Sequence, residues 1–153
     1  MKRAFLVLGT ALLGACLNVA EPPDEPTDPA TESFAAATGV DITAMTKTAS
    51  GVYYQDIEGG NGAAVSNTDQ WVSISYVGYL KSGYIFDRGT NPTAIRLGSG
   101  IVGFAEGMQG MKIGGVRKIV IPSQRAYGQF GLPAYGIPPN STLIYDVRLY
   151  DLP

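Results

Sequence analysis

Few side chains in this sequence could do chemistry, and the choice is narrowed first by a residue type that is missing. None of the 153 residues is a histidine, which removes Ser-His and Cys-His nucleophile pairs, imidazole general bases and His-ligated metal sites together. The single cysteine, Cys16, cannot form an intramolecular disulfide. Asp87, in Tyr84-Ile85-Phe86-Asp87-Arg88, is a carboxylate beside aromatic rings. It has no obvious second carboxylate, so neither a glycosidase pair nor an acid dyad applies, and its plain reading is a solvated turn residue paired with Arg88. What remains is aromatic: Tyr76, Phe86, Phe104, Tyr127 and Tyr145. Composition alone reads these rings as core. Tyr127 stands apart, because it opens a long Gly/Pro loop, RAYGQFGLPAYGIPPNSTLIYDV over 125–147, and such loops carry binding residues more often than core.

Two other motifs lead elsewhere and fail. Gly98-Ser99-Gly100-Ile101-Val102-Gly103 is a literal GxGxxG, but a dinucleotide site also needs a βαβ unit and an acid about 20 positions on. After Glu106 the next acid is Asp146, so the glycines read as a turn leading into a helix. Asn140-Ser141-Thr142 reads as turn chemistry after Pro138-Pro139.

The elements that must position these residues are short. Val-, Ile- and Tyr-rich runs with period-two alternation predict strands over about 52–57, 71–80, 94–97, 116–121 and 143–150. Ile101, Phe104, Met108 and Met111 fall at helical spacing and predict one short helix. Each of its glycines, Gly103, Gly107 and Gly110, costs about 1 kcal/mol against Ala, so packing against the sheet must hold it. The fold class is therefore α+β, a twisted antiparallel sheet wrapped around one short helix.

Ahead of this domain, Met1-Lys2-Arg3 precedes a short apolar run ending in Leu13-Gly14-Ala15-Cys16. The pattern resembles a bacterial lipoprotein signal, and the run is shorter than the roughly 20 residues that span a bilayer. The expectation is a leader at 1–15, lipidation of Cys16, an acidic Pro-rich linker over 16–47 and a folded domain over 48–153. From Leu17 to Thr46 six acids and four prolines occur without Lys or Arg, which predicts a solvated spacer. A net charge of −2 gives no footprint for nucleic acid. No metal or cofactor is expected.

The segments 72–80 (VSISYVGYL), 85–87 (IFD), 97–98 (LG), 103–108 (GFAEGM), 110–117 (GMKIGGVR), 121–122 (IP), 126–128 (AYG) and 137–143 (IPPNSTL) together resemble the FKBP-type peptidyl-prolyl cis-trans isomerases in order and spacing, over about 51–153. The resemblance implies a pocket with Phe104 as floor, where the best-known members have Trp, and with Tyr76, Phe86 and Tyr145 as walls. The amide of Ile101 and the hydroxyl of Tyr127 would hold substrate carbonyls, with Asp87 positioning a polar group at the rim. Its implied ligands are proline-containing polypeptides and macrolide inhibitors; the lipoprotein-type signal carries the separate expectation of an exported, lipid-anchored protein at the outer membrane, facing the periplasm, or at the cell surface. Two departures stand out. Thr93-Ala94-Ile95 replaces the usual pocket-edge phenylalanines, with Thr93 expected to widen the site. The loop over 128–136 is about one residue longer than usual, leaving Phe130, Leu132 and Tyr135 unmatched. A proline-segment binding module without turnover is the competing expectation.

Overall fold

The computed structural model describes residues 25–153; the expected leader and Cys16 lie outside the described residues. Six strands form one antiparallel sheet: β1 (Thr46–Lys47), β2 (Tyr53–Glu58), β3 (Trp71–Leu80), β4 (Ile85–Arg96), β5 (Val116–Ile121) and β6 (Leu143–Asp151). Their order is β1-β2-β5-β6-β3-β4. The α+β reading holds, with a single α-helix, α1 (Val102–Met108), among the described residues.

Alternation along the strands divides the sheet into two faces. On one, Val72, Ile74, Ile119, Ile121, Leu143, Val147 and Leu149 meet Phe104, Ala105 and Met108 of the helix in the main core. The helix glycines find their reason here. A Cβ on Gly107 would run into the Ile119 side chain and one on Gly103 into Ile121, so the loss in helix propensity is offset by close helix-to-sheet contact. Gln109 caps the helix and Gly110 turns the chain away at a φ of 72°, which ends it before Met111.

Buried Arg117, on β5, fastens the helix end. Its Nε and one terminal nitrogen donate to the two Asp56 oxygens at 2.7 and 3.0 Å. The other terminal nitrogen donates to the carbonyls of Gly107 and Gln109 at 2.9 and 2.8 Å.

Strand β4 is longer than the expected 94–97. Ile74 pairs with Thr93 and Tyr76 with Gly89, so Thr90, Asn91 and Pro92 stand opposite Ser75 alone. This bulge, on an edge strand containing a proline, breaks the period-two pattern that would have revealed the strand.

The expected solvated spacer is corrected over residues 28–45. Short 3₁₀ turns at Pro29–Thr31, Ala36–Thr38 and Ile42–Ala44 lay this segment on the second face of the sheet. There Phe34, Val40, Ile42 and Met45 cover Tyr53, Val120 and Ile144. Polar ties complete the attachment. Lys118 donates to the Thr38 carbonyl at 2.7 Å and to Asp146 at 2.5 Å. Thr142 donates to Glu32 at 2.5 Å, and Lys81 pairs with the same carboxylate at 3.2 Å. Glu32, one of the acids that read as solvating charge, is here the partner in two of these ties.

Candidate active site

The helix, the end of β4, the centre of β3, β6 and the loop after β5 converge on a cavity of about 160 Å³ lined by Tyr76, Asp87, Ile95, Gly100, Ile101, Phe104, Tyr127 and Tyr145. Six of these residues are candidates from the sequence. A larger groove of about 500 Å³ lies between the 80–82 turn and residues 138–142, but no aromatic ring lines it.

Tyr145 is the hub. Its ring centroid lies 4.9 Å from Phe104, 5.5 Å from Phe86 and 6.0 Å from Tyr76, with the first two contacts edge-to-face, a favoured geometry for aromatic pairs. Phe86 thus stands one layer back, buttressing Tyr145, and is not itself on the lining. Room for that stack comes from Gly78 on β3, where a Cβ would come within 2.6 Å of the Phe86 ring and 3.0 Å of Tyr145.

Asp87 is held in place. Tyr76 donates its hydroxyl to Oδ2 at 2.8 Å, and the Arg88 contribution is its backbone N–H, donating to Oδ1 at 2.8 Å. The carboxylate is therefore a fixed acceptor at the cavity rim, where the sequence alone suggested a solvated turn residue.

Two donors at the site are unengaged. Ile101 caps the helix in extended conformation (φ −71°, ψ 136°) and its carbonyl accepts from Phe104 and Ala105. Among the described residues, neither the Ile101 N–H nor the Tyr127 hydroxyl has a hydrogen-bond partner.

Thr93 requires a correction. It is exposed and its hydroxyl donates to the Asn91 carbonyl at 3.2 Å. The bulge carries it beyond the cavity, and Ile95, two residues on along the same face, forms the apolar edge instead. Gly100 is the lining residue that sequence reasoning missed, while Ile95 belonged to the expected edge Thr93-Ala94-Ile95 and alone of the three lines the cavity.

Burial and the Asp87 hydrogen bond push the Tyr76 hydroxyl up to about 12, and burial likewise raises Tyr127 and Tyr145. All three rings are neutral donors at physiological pH. Turnover at this site is expected to be flat between about pH 6 and 9, since no imidazole is present to titrate. A bell-shaped profile centred near neutrality would contradict this. For stability the sign is that of a raised folded-state pKa: the Tyr76 contribution is complete below about pH 10 and is lost as pH rises through about 12.

An antiparallel sheet wrapped on one helix thus carries an aromatic cavity with two free donors beside it, at the helix start and the adjoining loop. Residues 62–150 match the family model described as FKBP-type peptidyl-prolyl cis-trans isomerase, and the chain belongs to that family. It is 43% identical over 124 residues to the FKBP-type peptidyl-prolyl cis-trans isomerase FkpA of Escherichia coli (strain K12), covering 79% of this chain and 43% of that one. It is 42% identical over 114 residues to FK506-binding protein 4 of Neurospora crassa, covering 72% of this chain and 24% of that one. The chain thus spans less than half the length of these two relatives. The crystal structure of a peptidyl-prolyl cis-trans isomerase from Pseudomonas syringae pv. tomato superposes with a TM-score of 0.68 at 31% identity, covering 76% of this chain and 86% of that one.

Proposed function

We propose that this chain catalyses cis-trans rotation about X-Pro peptide bonds and so assists the folding of exported proteins. The observation that carries the reading is the aromatic cavity with Ile101 N–H and Tyr127 hydroxyl unengaged beside it. Rotation about a peptide bond is opposed by about 18–20 kcal/mol of amide resonance. Lowering it requires no nucleophile. The planar amide is the more dipolar state, so a pocket that excludes water disfavours it more than the twisted transition state. In this reading the proline ring rests on Phe104 against Tyr145 and Ile95. Ile101 N–H and Tyr127 hydroxyl hold the carbonyls on either side of the bond, and Asp87, fixed by Tyr76, orients the substrate at the rim without transferring a proton. Macrolides of the kind named for the Neurospora relative would compete for the same cavity.

The Asp87→Ala, Tyr127→Phe double variant is expected to lower kcat/KM on a proline peptide by about tenfold, near 1.4 kcal/mol of transition-state stabilisation, while remaining folded. Full activity in a folded double variant would remove these residues from the site.

Lipid anchoring through Cys16 at the outer membrane belongs to the same proposal. The Leu13-Gly14-Ala15-Cys16 motif supports it, and Leu17 in place of Asp supports outer-membrane sorting. Cys16→Ser is expected to move the protein from the membrane to the soluble fraction or leave it unprocessed, because acyl chains supply about 0.8 kcal/mol per buried CH₂. Unchanged fractionation with no loss of lipid label would refute anchoring.

A further inference from the structure

A clasp outside the cavity fastens the helix to the chain that leads into Tyr127. Glu106 stands two residues beyond Phe104 on the helix, and Arg125 stands two residues before Tyr127. A terminal nitrogen of Arg125 donates to Glu106 Oε1, and Nε donates to Oε2 at 3.3 Å. Ser50, in the turn between β1 and β2, donates to the same Oε2 at 2.5 Å and shares a hydrogen bond of 2.9 Å with Thr48. Beneath the clasp the helix and this segment touch. A Cβ on Gly103 would come within 2.8 Å of the Arg125 carbonyl oxygen and 3.0 Å of the Arg125 Cβ, so the glycine admits the segment as well as Ile121. A guanidinium that grips both oxygens of a carboxylate fixes direction along with distance. The Tyr127 hydroxyl has no such tie among the described residues. The chain is instead held on either side of it, by Arg125 before and by the Gly128 carbonyl after, which accepts from Asn140 N–H at 2.8 Å. The Arg125 and Glu106 side chains are 35% and 21% exposed, and an ion pair this open contributes little to stability. Two bonds from Arg125 and one from Ser50 therefore converge on one carboxylate where the core gains little, and what they fix is the entry of the chain to Tyr127.

We propose that Glu106 and Arg125, braced by Ser50, are positioning residues for the reaction: they hold the Tyr127 hydroxyl in register with the cavity floor at Phe104, so that it meets a substrate carbonyl already aligned. Neither side chain lines the cavity, and both act through the tyrosine. This rests on the isomerase reading for what the hydroxyl holds. The loss on opening the clasp is bounded by what that hydroxyl supplies, which gives the proposal a signature that a purely structural ion pair lacks.

The test is a double-mutant cycle on kcat/KM for a short X-Pro peptide. Tyr127→Phe and Arg125→Ala are each expected to lower kcat/KM about threefold, and the two together also about threefold, because without the hydroxyl nothing is left to position. The thermal midpoint of Arg125→Ala should fall by less than about 4 °C. Glu106→Gln keeps the shape of the side chain but offers the guanidinium a single acceptor oxygen. It should lower kcat/KM about twofold, and that loss should likewise vanish in the Tyr127→Phe background. Arg148→Ala, which removes the exposed pair with Glu58 at 2.9 Å, should leave turnover unchanged. Full turnover in Arg125→Ala would overturn the positioning role, and so would a loss of about ninefold when it is combined with Tyr127→Phe. If Arg125→Ala does not fold, the cycle with Glu106→Gln decides by the same criterion. Absence of turnover in the unmodified chain refutes the isomerase reading. The cycle is then read on proline-peptide affinity by anisotropy, where the same non-additivity sustains the clasp and additive losses overturn it; absence of both turnover and binding overturns both.

Discussion

Phe104→Ala is expected to lower folding stability by about 3–5 kcal/mol, the usual cost of truncating a buried Phe, and to cut turnover by more than tenfold in the molecules that remain folded. The ring is 7% exposed and meets Tyr145 at 4.9 Å, so it belongs to the core and to the cavity floor at once. Phe104→Leu separates the two roles. It keeps a branched apolar side chain in the core and should cost less than the Ala change, yet it removes the flat surface on which a proline ring would lie. Thermal unfolding and a peptide isomerisation assay on both variants check this. If the folded Leu variant keeps full turnover, Phe104 is core alone.

Arg117→Ala is expected to cost about 2–3 kcal/mol, the scale of leaving inward-facing carbonyls without their donor, since Asp56 is half exposed and can be rehydrated. The guanidinium is 3% exposed, and its loss leaves the carbonyls of Gly107 and Gln109 without their donor and Asp56 without its fork. Arg117→Lys should recover only part of the loss, because an ammonium cannot bridge a carboxylate and two carbonyls in one plane. Because the helix whose end Arg117 holds also carries Phe104, turnover should fall along with stability. Urea unfolding reads the first effect, and a shift under about 1 kcal/mol would mean that the helix end does not depend on this residue.

Strands β3 and β5 were legible in the sequence as Val- and Ile-containing runs whose expected limits match the structure, although β5 is buried on both faces from Arg117 onward and does not alternate in burial. Strand β4 was legible only near its end. Its middle is set by pairing with β3 across a bulge, a non-local constraint that no local pattern records. The same holds for residues 28–45. Acids and prolines there read as a solvated tether, while Phe34, Val40, Ile42 and Met45 are held by a sheet face formed far along the chain.

At the site, composition alone reads Tyr76, Phe104 and Tyr145 as core and marks only Tyr127 through its loop; it is the family resemblance that selected all four for the pocket they line. The depth of each was not legible. Phe86 reads as a wall and stands behind Tyr145; Thr93 reads as an edge and lies outside, with Ile95 in its place. The first follows a second register shift, where Phe86 is the extra residue between the paired Ile85 and Asp87, and the second follows the bulge at 90–92. Nor did the segment around Asp87 disclose that Tyr76, eleven residues earlier, would fix its carboxylate.

The central claim, that the aromatic cavity lowers the barrier to rotation about a prolyl bond, is tested most directly by a protease-coupled assay of the purified chain on short X-Pro peptides, varying the residue before the proline. The account predicts acceleration of the slow cis-to-trans phase in proportion to protein concentration, greatest with an apolar residue before the proline, and blocked by a macrolide that fills the cavity. Tight peptide binding with no acceleration at any protein concentration would contradict it and make the cavity a recognition site for proline segments.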